Sequence, residues 1–193
     1  MESKLILAST SPYRRELLSR LGVPFDVAAP GTEEGRRPGE DPKAMVARLA
    51  REKAAAVAAK NDRGLVIGSD QCAVLGDIVL GKPGSYDKAV SQIAAASGHS
   101  VRFLTAVCLH DAVSGQVREA LDETVVKFRK LDDVEIRRYV DREQPLDCAG
   151  SFKSEGLGIT LFERIENRDP TALMGLPLIA LSGLLRDAGL TLP

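Results

Sequence analysis

Leu5-Ile6-Leu7-Ala8-Ser9-Thr10-Ser11-Pro12-Tyr13-Arg14-Arg15 is the stretch that decides the fold. Its four-residue apolar run predicts a short buried strand. Ser11 suits a helix N-cap and Pro12 the first helical position, so a helix is expected directly after the strand. Such a strand, turn and capped helix suit a polyanion. The free N–H groups and dipole of a helix start attract negative charge, and arginine reaches phosphate oxygens with two donors. The plainer alternative for this stretch is an ordinary N-cap followed by solvated arginines.

Helical and strand patterns alternate from there. Leu17, Leu18 and Leu21 share one face of a helix running to about Leu21, and Phe25 to Ala28 reads as a second strand. Residues 30–40 are rich in Gly, Pro and charge and read as an exposed loop. Asp41-Pro42 repeats the cap-then-proline signature, so a long helix is expected to about Lys60 with Met45, Val46, Leu49 and Val57 inward. Leu65 to Ile67 predicts a buried strand ending at Gly68-Ser69-Asp70. Cys72 to Leu80 predicts a hairpin around Gly76-Asp77. Ser85 can cap a helix that Gly98 stops. Residues 100–128 read as a long two-stranded stretch with a turn at Ser114-Gly115. Asp132 and Glu135 open a further helix in a capping-box pattern. Residues 149–163, with Gly150, Gly156 and Gly158, predict strands and close backbone approaches. The last helix is expected from Pro177 to Ala188. This alternation predicts a mixed α/β sheet with helices on both faces. The hairpin half can form a second lobe, leaving a cleft.

Composition removes several function classes. The 193 residues carry 26 basic and 27 acidic side chains, a formal net charge of −1, so no global field draws nucleic acid or an anionic membrane. No apolar run approaches the ~20 residues of a membrane helix. The first few residues are polar and lead straight into a strand, unlike a signal peptide. Cys72, Cys108 and Cys148 are far apart and odd in number, which suits free thiols in a reducing cytoplasm. His99 and His110 are the only histidines, so any metal must be held by oxygen ligands, favouring Mg²⁺ or Mn²⁺. There is no Walker A loop, no Gly-x-Gly-x-x-Gly after a strand, and no Gly-x-Ser-x-Gly elbow.

What remains is a set of polar residues. Asp70 is placed at a strand end, where open α/β sheets bind ligands, and can orient or deprotonate a water. It also reads as a turn former. Lys82 sits in the rigid loop Gly81-Lys82-Pro83, where it suits a phosphate or is merely solvated. Lys53 falls in Arg51-Glu52-Lys53, by default a charged helix face. Glu33-Glu34 can supply a metal-binding carboxylate or only loop solubility. Together these residues form a kit for attack on a phosphoric anhydride, where cations neutralise charge and a carboxylate handles the water.

The segments Leu5–Pro12 with Arg14-Arg15, Glu52-Lys53, Gly68-Ser69-Asp70-Gln71, Gly81-Lys82-Pro83 and Gly175-Leu176-Pro177-Leu178 resemble the Maf family, in order and nearly end to end. These are nucleoside triphosphate pyrophosphatases, also called septum formation inhibitor proteins. The resemblance implies one Maf-like domain over residues 1–193, with an elongated mixed sheet flanked by helices and two lobes with a cleft between them, as in ITPase-like folds. It implies water attack on the α-phosphorus, with a divalent metal required and a homodimer as a family-level expectation. By the same resemblance Asp70 is the general base, and Ser9, Arg14, Arg15, Glu34, Lys53 and Lys82 are phosphate and metal-site residues. Glu34 is taken over Glu33 because the family uses the second member of its acidic pair.

Cys148 to Gly156 is similar to the family branch acting on 7-methyl-GTP. The branch acting on dTTP and UTP tends to carry Arg, Thr and Gln where this chain has Tyr13, Gln71 and Glu155, although Tyr13 stands where Trp is expected. Two acceptors on Glu155 match the N1–H and N2–H₂ donors of guanine and oppose the carbonyls of uracil or thymine. The positive charge of an N7-methylated base strengthens both the carboxylate attraction and stacking on Tyr13. Two rival readings follow: the same chemistry on dTTP, UTP or a broad nucleotide range, and a nucleotide-binding regulator of cell division.

Overall fold

The computed structural model describes residues 4–192, so the leaderless reading of the first three residues lies outside it. Seven strands hydrogen-bond in the order β2-β1-β3-β5-β6-β7, with β4 paired to β3. Strand β1 (Leu5–Ala8) runs parallel to both β2 (Asp26–Ala28) and β3 (Leu65–Leu75). All four β1 residues are buried, as expected for a parallel strand with a neighbour on each side. This is the mixed α/β sheet that the alternating patterns predict.

The chain divides into two compact units. The first comprises Met1–Asp70, Thr105–Asp122 and Asp169–Pro193. Its core joins Leu5 and Leu7 of β1, Leu65 and Ile67 of β3, and Leu181 and Leu185 of helix α5 (Leu178–Asp187), among others. Helix α1 (Pro12–Ser19) starts as the sequence predicts: Pro12 is its first residue and the Ser11 hydroxyl accepts from Arg14 N at 3.4 Å. Helix α2 (Pro42–Ala58) is capped by Asp41, whose carboxylate accepts from Lys43 N and Ala44 N.

The second unit comprises Gln71–Leu104 and Glu123–Arg168. Its core is aromatic. Phe103, Phe128, Phe152 and Phe162 pack edge to face with ring centroids 4.7–5.7 Å apart. Each such pair adds about 0.5–1.5 kcal/mol beyond area burial. The hairpin expected around Gly76-Asp77 is present, with Leu75 opposite Ile78 of β4 (Ile78–Leu80) and Gly76 at φ +57°. Helix α3 (Tyr86–Ala96) follows Ser85, whose side chain makes no capping bond. Long strands β5 (Ser100–Asp111) and β6 (Val117–Phe128) match the expected two-stranded stretch. Helix α4 (Asp133–Glu143) opens with the Asp132 carboxylate accepting from Glu135 N at 2.7 Å.

Two expectations need correction. The strand placed at Leu65–Ile67 does not end at Gly68-Ser69-Asp70; β3 continues to Leu75, and Asp70 lies in mid-strand. Gly68 is there for close approach to α2. A Cβ at this position would stand 2.1 Å from the Ala50 carbonyl oxygen and 2.7 Å from Ala54 N. The second correction concerns residues 149–163. Short 3₁₀ turns at Ala149–Ser151 and Leu157–Leu161 replace the expected strands, and β7 begins only at Phe162 (Phe162–Glu166). The expected close approaches do occur. A Cβ on Gly158 would meet the Lys153 carbonyl oxygen at 2.3 Å, and one on Gly156 would meet a Glu143 carboxylate oxygen at 2.7 Å.

Candidate active site

The first unit gathers three of the singled-out residues into direct contact. Lys53 Nζ lies 2.6 Å from Asp70 Oδ1 and 2.7 Å from Glu34 Oε1. Lys53 does not belong to a solvated helix face, since only 3% of its surface is exposed. The helical period accounts for this. Val46, Leu49, Ala50, Ala54 and Val57 line the buried side of α2, and Lys53 falls among them. An ammonium at such a position must be paired, and the carboxylates supply the pairing. Asp70 is buried on β3, whereas the Glu34 side chain remains more than half exposed.

The electrostatics follow from burial. Desolvation raises the Asp70 pKa above its ordinary value, against the opposing pull of Lys53 and Arg14. Arg14 is lowered by its own withdrawal from water, and the Asp70 and Glu34 charges act in the other direction. Its Nε donates to the Gly175 carbonyl at 2.8 Å, and the Ser69 hydroxyl donates to the same oxygen at 2.9 Å. The helix start itself is built as a turn: Ser9 is buried, and its hydroxyl accepts from Ser11 N at 3.1 Å.

Glu34 sits in an irregular segment that an ion-pair clasp fastens to α2. Arg48 donates to both carboxylate oxygens of Glu40, at 2.6 and 2.7 Å, to Glu52 at 3.0 Å, and to the Gly35 carbonyl at 3.0 Å. The hydrogen bond from Arg48 is the main reason that the Glu40 carboxyl is held down at about 2. The bidentate fork adds geometric definition that a lone surface pair lacks.

The other predicted residues are spread over both units. Arg15 is exposed and lines a surface groove with Pro12, Ser19, Phe25 and Val27. Tyr13 and Gln71 are half-buried. In the second unit, Lys82 is exposed on a loop pinned by Gln92 Nε2 to the Gly81 carbonyl at 3.3 Å and by Gly84 N to the Leu146 carbonyl at 3.0 Å. Glu155 is also exposed, on a loop held to α4 at both ends. Lys153 N donates to the Tyr139 hydroxyl at 3.1 Å and Leu157 N to Glu143 Oε2 at 2.7 Å. Cys72, Cys108 and Cys148 are free thiols, two buried and one half-buried.

Residues that the sequence reading passed over include Ser69, Asp169, Thr171 and the Gly175 carbonyl. The motif around Gly175 was visible, but a backbone acceptor carries no side-chain signal. Among the described residues no group of three or more His, Cys, Asp or Glu forms a ready-made metal site, and no helix is long and apolar enough to cross a membrane.

A buried carboxylate beside a paired lysine, with arginine at a capped helix start, defines a class of site suited to phosphate anhydrides. The family described as Maf-like protein matches residues 4–188, and the chain belongs to the Maf family. A 7-methyl-GTP pyrophosphatase of Xanthomonas oryzae pv. oryzae (strain MAFF 311018) is 57% identical over 192 residues, covering 98% of this chain and 99% of that protein. Proteins of the same name from Alcanivorax borkumensis and Pseudomonas aeruginosa are 53% and 51% identical, each over 189 residues, covering 98% of this chain and 96% and 98% of theirs.

Proposed function

We propose that this chain is a nucleoside triphosphate pyrophosphatase that hydrolyses 7-methyl-GTP to 7-methyl-GMP and pyrophosphate, clearing modified nucleotides in the cytoplasm. The observation that carries the reading is the buried Lys53 ammonium bonded to both Asp70 and Glu34, in a chain whose relatives bear that activity in their names. Asp70 orients a water and takes its proton as the water oxygen bonds to the α-phosphorus. The bond from that phosphorus to the bridging oxygen breaks, and pyrophosphate leaves with the electron pair. Lys53 fixes the Asp70 carboxylate and keeps one of its oxygens occupied. Arg14, with Ser9 and Arg15, binds phosphate oxygens, and a half-buried guanidinium acts there more strongly than a fully hydrated one. Lys82, in the second unit, is a phosphate-binding residue by the family resemblance.

A divalent cation fits the donor set. Magnesium and manganese take hard oxygen ligands and commonly need only one or two carboxylates, with substrate phosphates and water completing the shell. Glu34, exposed at the edge of the cluster, would hold it. The ion would supply charge neutralisation on the triphosphate.

Specificity is assigned to Tyr13, Gln71 and Glu155. Glu155 reads the guanine edge with two acceptors and Tyr13 offers a face to the cationic base. Replacing Glu155 with Gln is expected to cut the preference for 7-methyl-GTP over UTP by about 10- to 100-fold, the worth of a hydrogen bond to a charged group. Pyrophosphate release across 7-methyl-GTP, GTP, UTP, dTTP and CTP, with Mg²⁺ or Mn²⁺, tests both claims. A lead for UTP or dTTP in the native protein would overturn the specificity assignment and leave the chemistry standing.

A further inference from the structure

Asp169 is a buried carboxylate to which the mechanism gives no part. Only 2% of its surface is exposed, and among the described residues no cation pairs with it. It is saturated by the backbone instead. Oδ1 accepts from Thr171 N at 2.9 Å, and Oδ2 accepts from Ile179 N, in the first turn of α5, at 2.6 Å. The Thr171 hydroxyl lies 2.6 Å from Asp169 Oδ1 and 2.8 Å from the Leu176 carbonyl, with one proton for the two acceptors, and itself accepts from Leu178 N at 2.9 Å. One carboxylate and one hydroxyl thus close the segment 169–179 into a rigid ring.

At the apex of that ring is Gly175, with φ +109°. Its carbonyl receives both Arg14 Nε and the Ser69 hydroxyl. A Cβ at Gly175 would sit 3.5 Å from Arg14 Nε, so the backbone and the guanidinium are close neighbours. Arg14 has a flexible stem and is only half-buried, so something must fix the direction of its fork. The Gly175 carbonyl does so through Nε, and through Ser69 it also touches the residue next to Asp70 in β3.

We propose that Asp169 is a positioning residue for the hydrolysis: by clamping the 169–179 ring it sets the Gly175 carbonyl, which aims the Arg14 guanidinium at the substrate phosphates. The proposal rests on the reading of Arg14 as a phosphate ligand. Asp is required where Asn would not serve, because both carboxylate oxygens accept from N–H groups. An amide at that position has only one oxygen and would set its NH₂ against a second donor.

The test is steady-state hydrolysis of 7-methyl-GTP, well below the melting temperature, by D169N, R14A and D169N/R14A beside the native protein. D169N is expected to lower kcat/KM by about 10- to 100-fold, the scale of a misaimed group. In the R14A background the same change is expected to have no further effect, because the residue through which it acts is gone. T171V is expected to move in the same direction and T171S to restore activity, which keeps the test valid where D169N does not fold. A D169N protein that melts earlier with unchanged kcat/KM would overturn the proposal, as would a full additional loss in the R14A background. Native kinetics in R14A itself would instead overturn the reading of Arg14, and with it the purpose assigned to the clamp.

Discussion

Replacing Asp70 with Asn is expected to reduce hydrolysis by about 10²- to 10⁴-fold, the usual contribution of a positioned acid or base, without lowering the melting temperature of the ligand-free protein at neutral pH. The two halves have one cause. Burial raises the Asp70 pKa in the folded state. A carboxyl whose folded pKa exceeds its unfolded one contributes stability that is fully present below the unfolded value. That contribution is lost as pH rises through the folded value. At pH 7 the ionised carboxylate therefore costs stability, and Asn, of nearly the same shape and uncharged, removes the cost, while the Lys53 ammonium keeps its ion pair with Glu34 Oε1 at 2.7 Å. Thermal melts at pH 5 and pH 8 check this: the variant should gain on the native protein as pH rises. The native enzyme should also lose kcat/KM on acidification before the ordinary carboxylate range is reached, since the raised group protonates early.

Replacing Lys53 with Met is expected to cost stability on the scale of about 3–5 kcal/mol, the penalty for leaving one member of a buried pair. Met preserves the volume of the lysine stem among Leu49, Ala50 and Val57 and removes only the ammonium. Asp70 is then left without the cation 2.6 Å away. It must stay charged in a poorly hydrated place or take up a proton, so the deficit should be smaller at pH 5 than at pH 8. Activity at neutral pH should fall, because the fraction of Asp70 that takes up a proton cannot accept one from water. The double variant K53M/D70N carries neither charge and should recover most of the lost stability while remaining inactive. Chemical denaturation of the three variants measures the coupling directly. Equal destabilisation in K53M and K53M/D70N would mean that the lysine contributes through packing alone.

Much of this architecture was legible from local chemistry. Ser11-Pro12 and Asp41-Pro42 start their helices as their side chains dictate, and Gly76-Asp77 makes the turn its backbone freedom allows. Structure and sequence pattern part where a glycine serves packing instead of turning. Gly68 interrupts an apolar run and so resembles a strand end, yet the strand continues because α2 presses against it. In residues 149–163 the β-prone side chains point to strands, but the backbone is set by Phe152 packing and by the Glu143 carboxylate, both long-range. Lys53 was readable in principle, since its spacing from Leu49, Ala50 and Val57 puts it on the apolar face. Asp169 was not: nothing in Arg168-Asp169-Pro170 shows that its partners would be Thr171 and Ile179.

Hydrolysis in H₂¹⁸O reports which phosphorus of 7-methyl-GTP the Asp70-activated water attacks. One ¹⁸O is expected in the phosphate of the 7-methyl-GMP product, with unlabelled pyrophosphate, and both products should form about 10²- to 10⁴-fold more slowly in D70N. Label in the released pyrophosphate, or release of inorganic phosphate with 7-methyl-GDP, would place the attack at another phosphorus and contradict the assignment to the α-phosphorus.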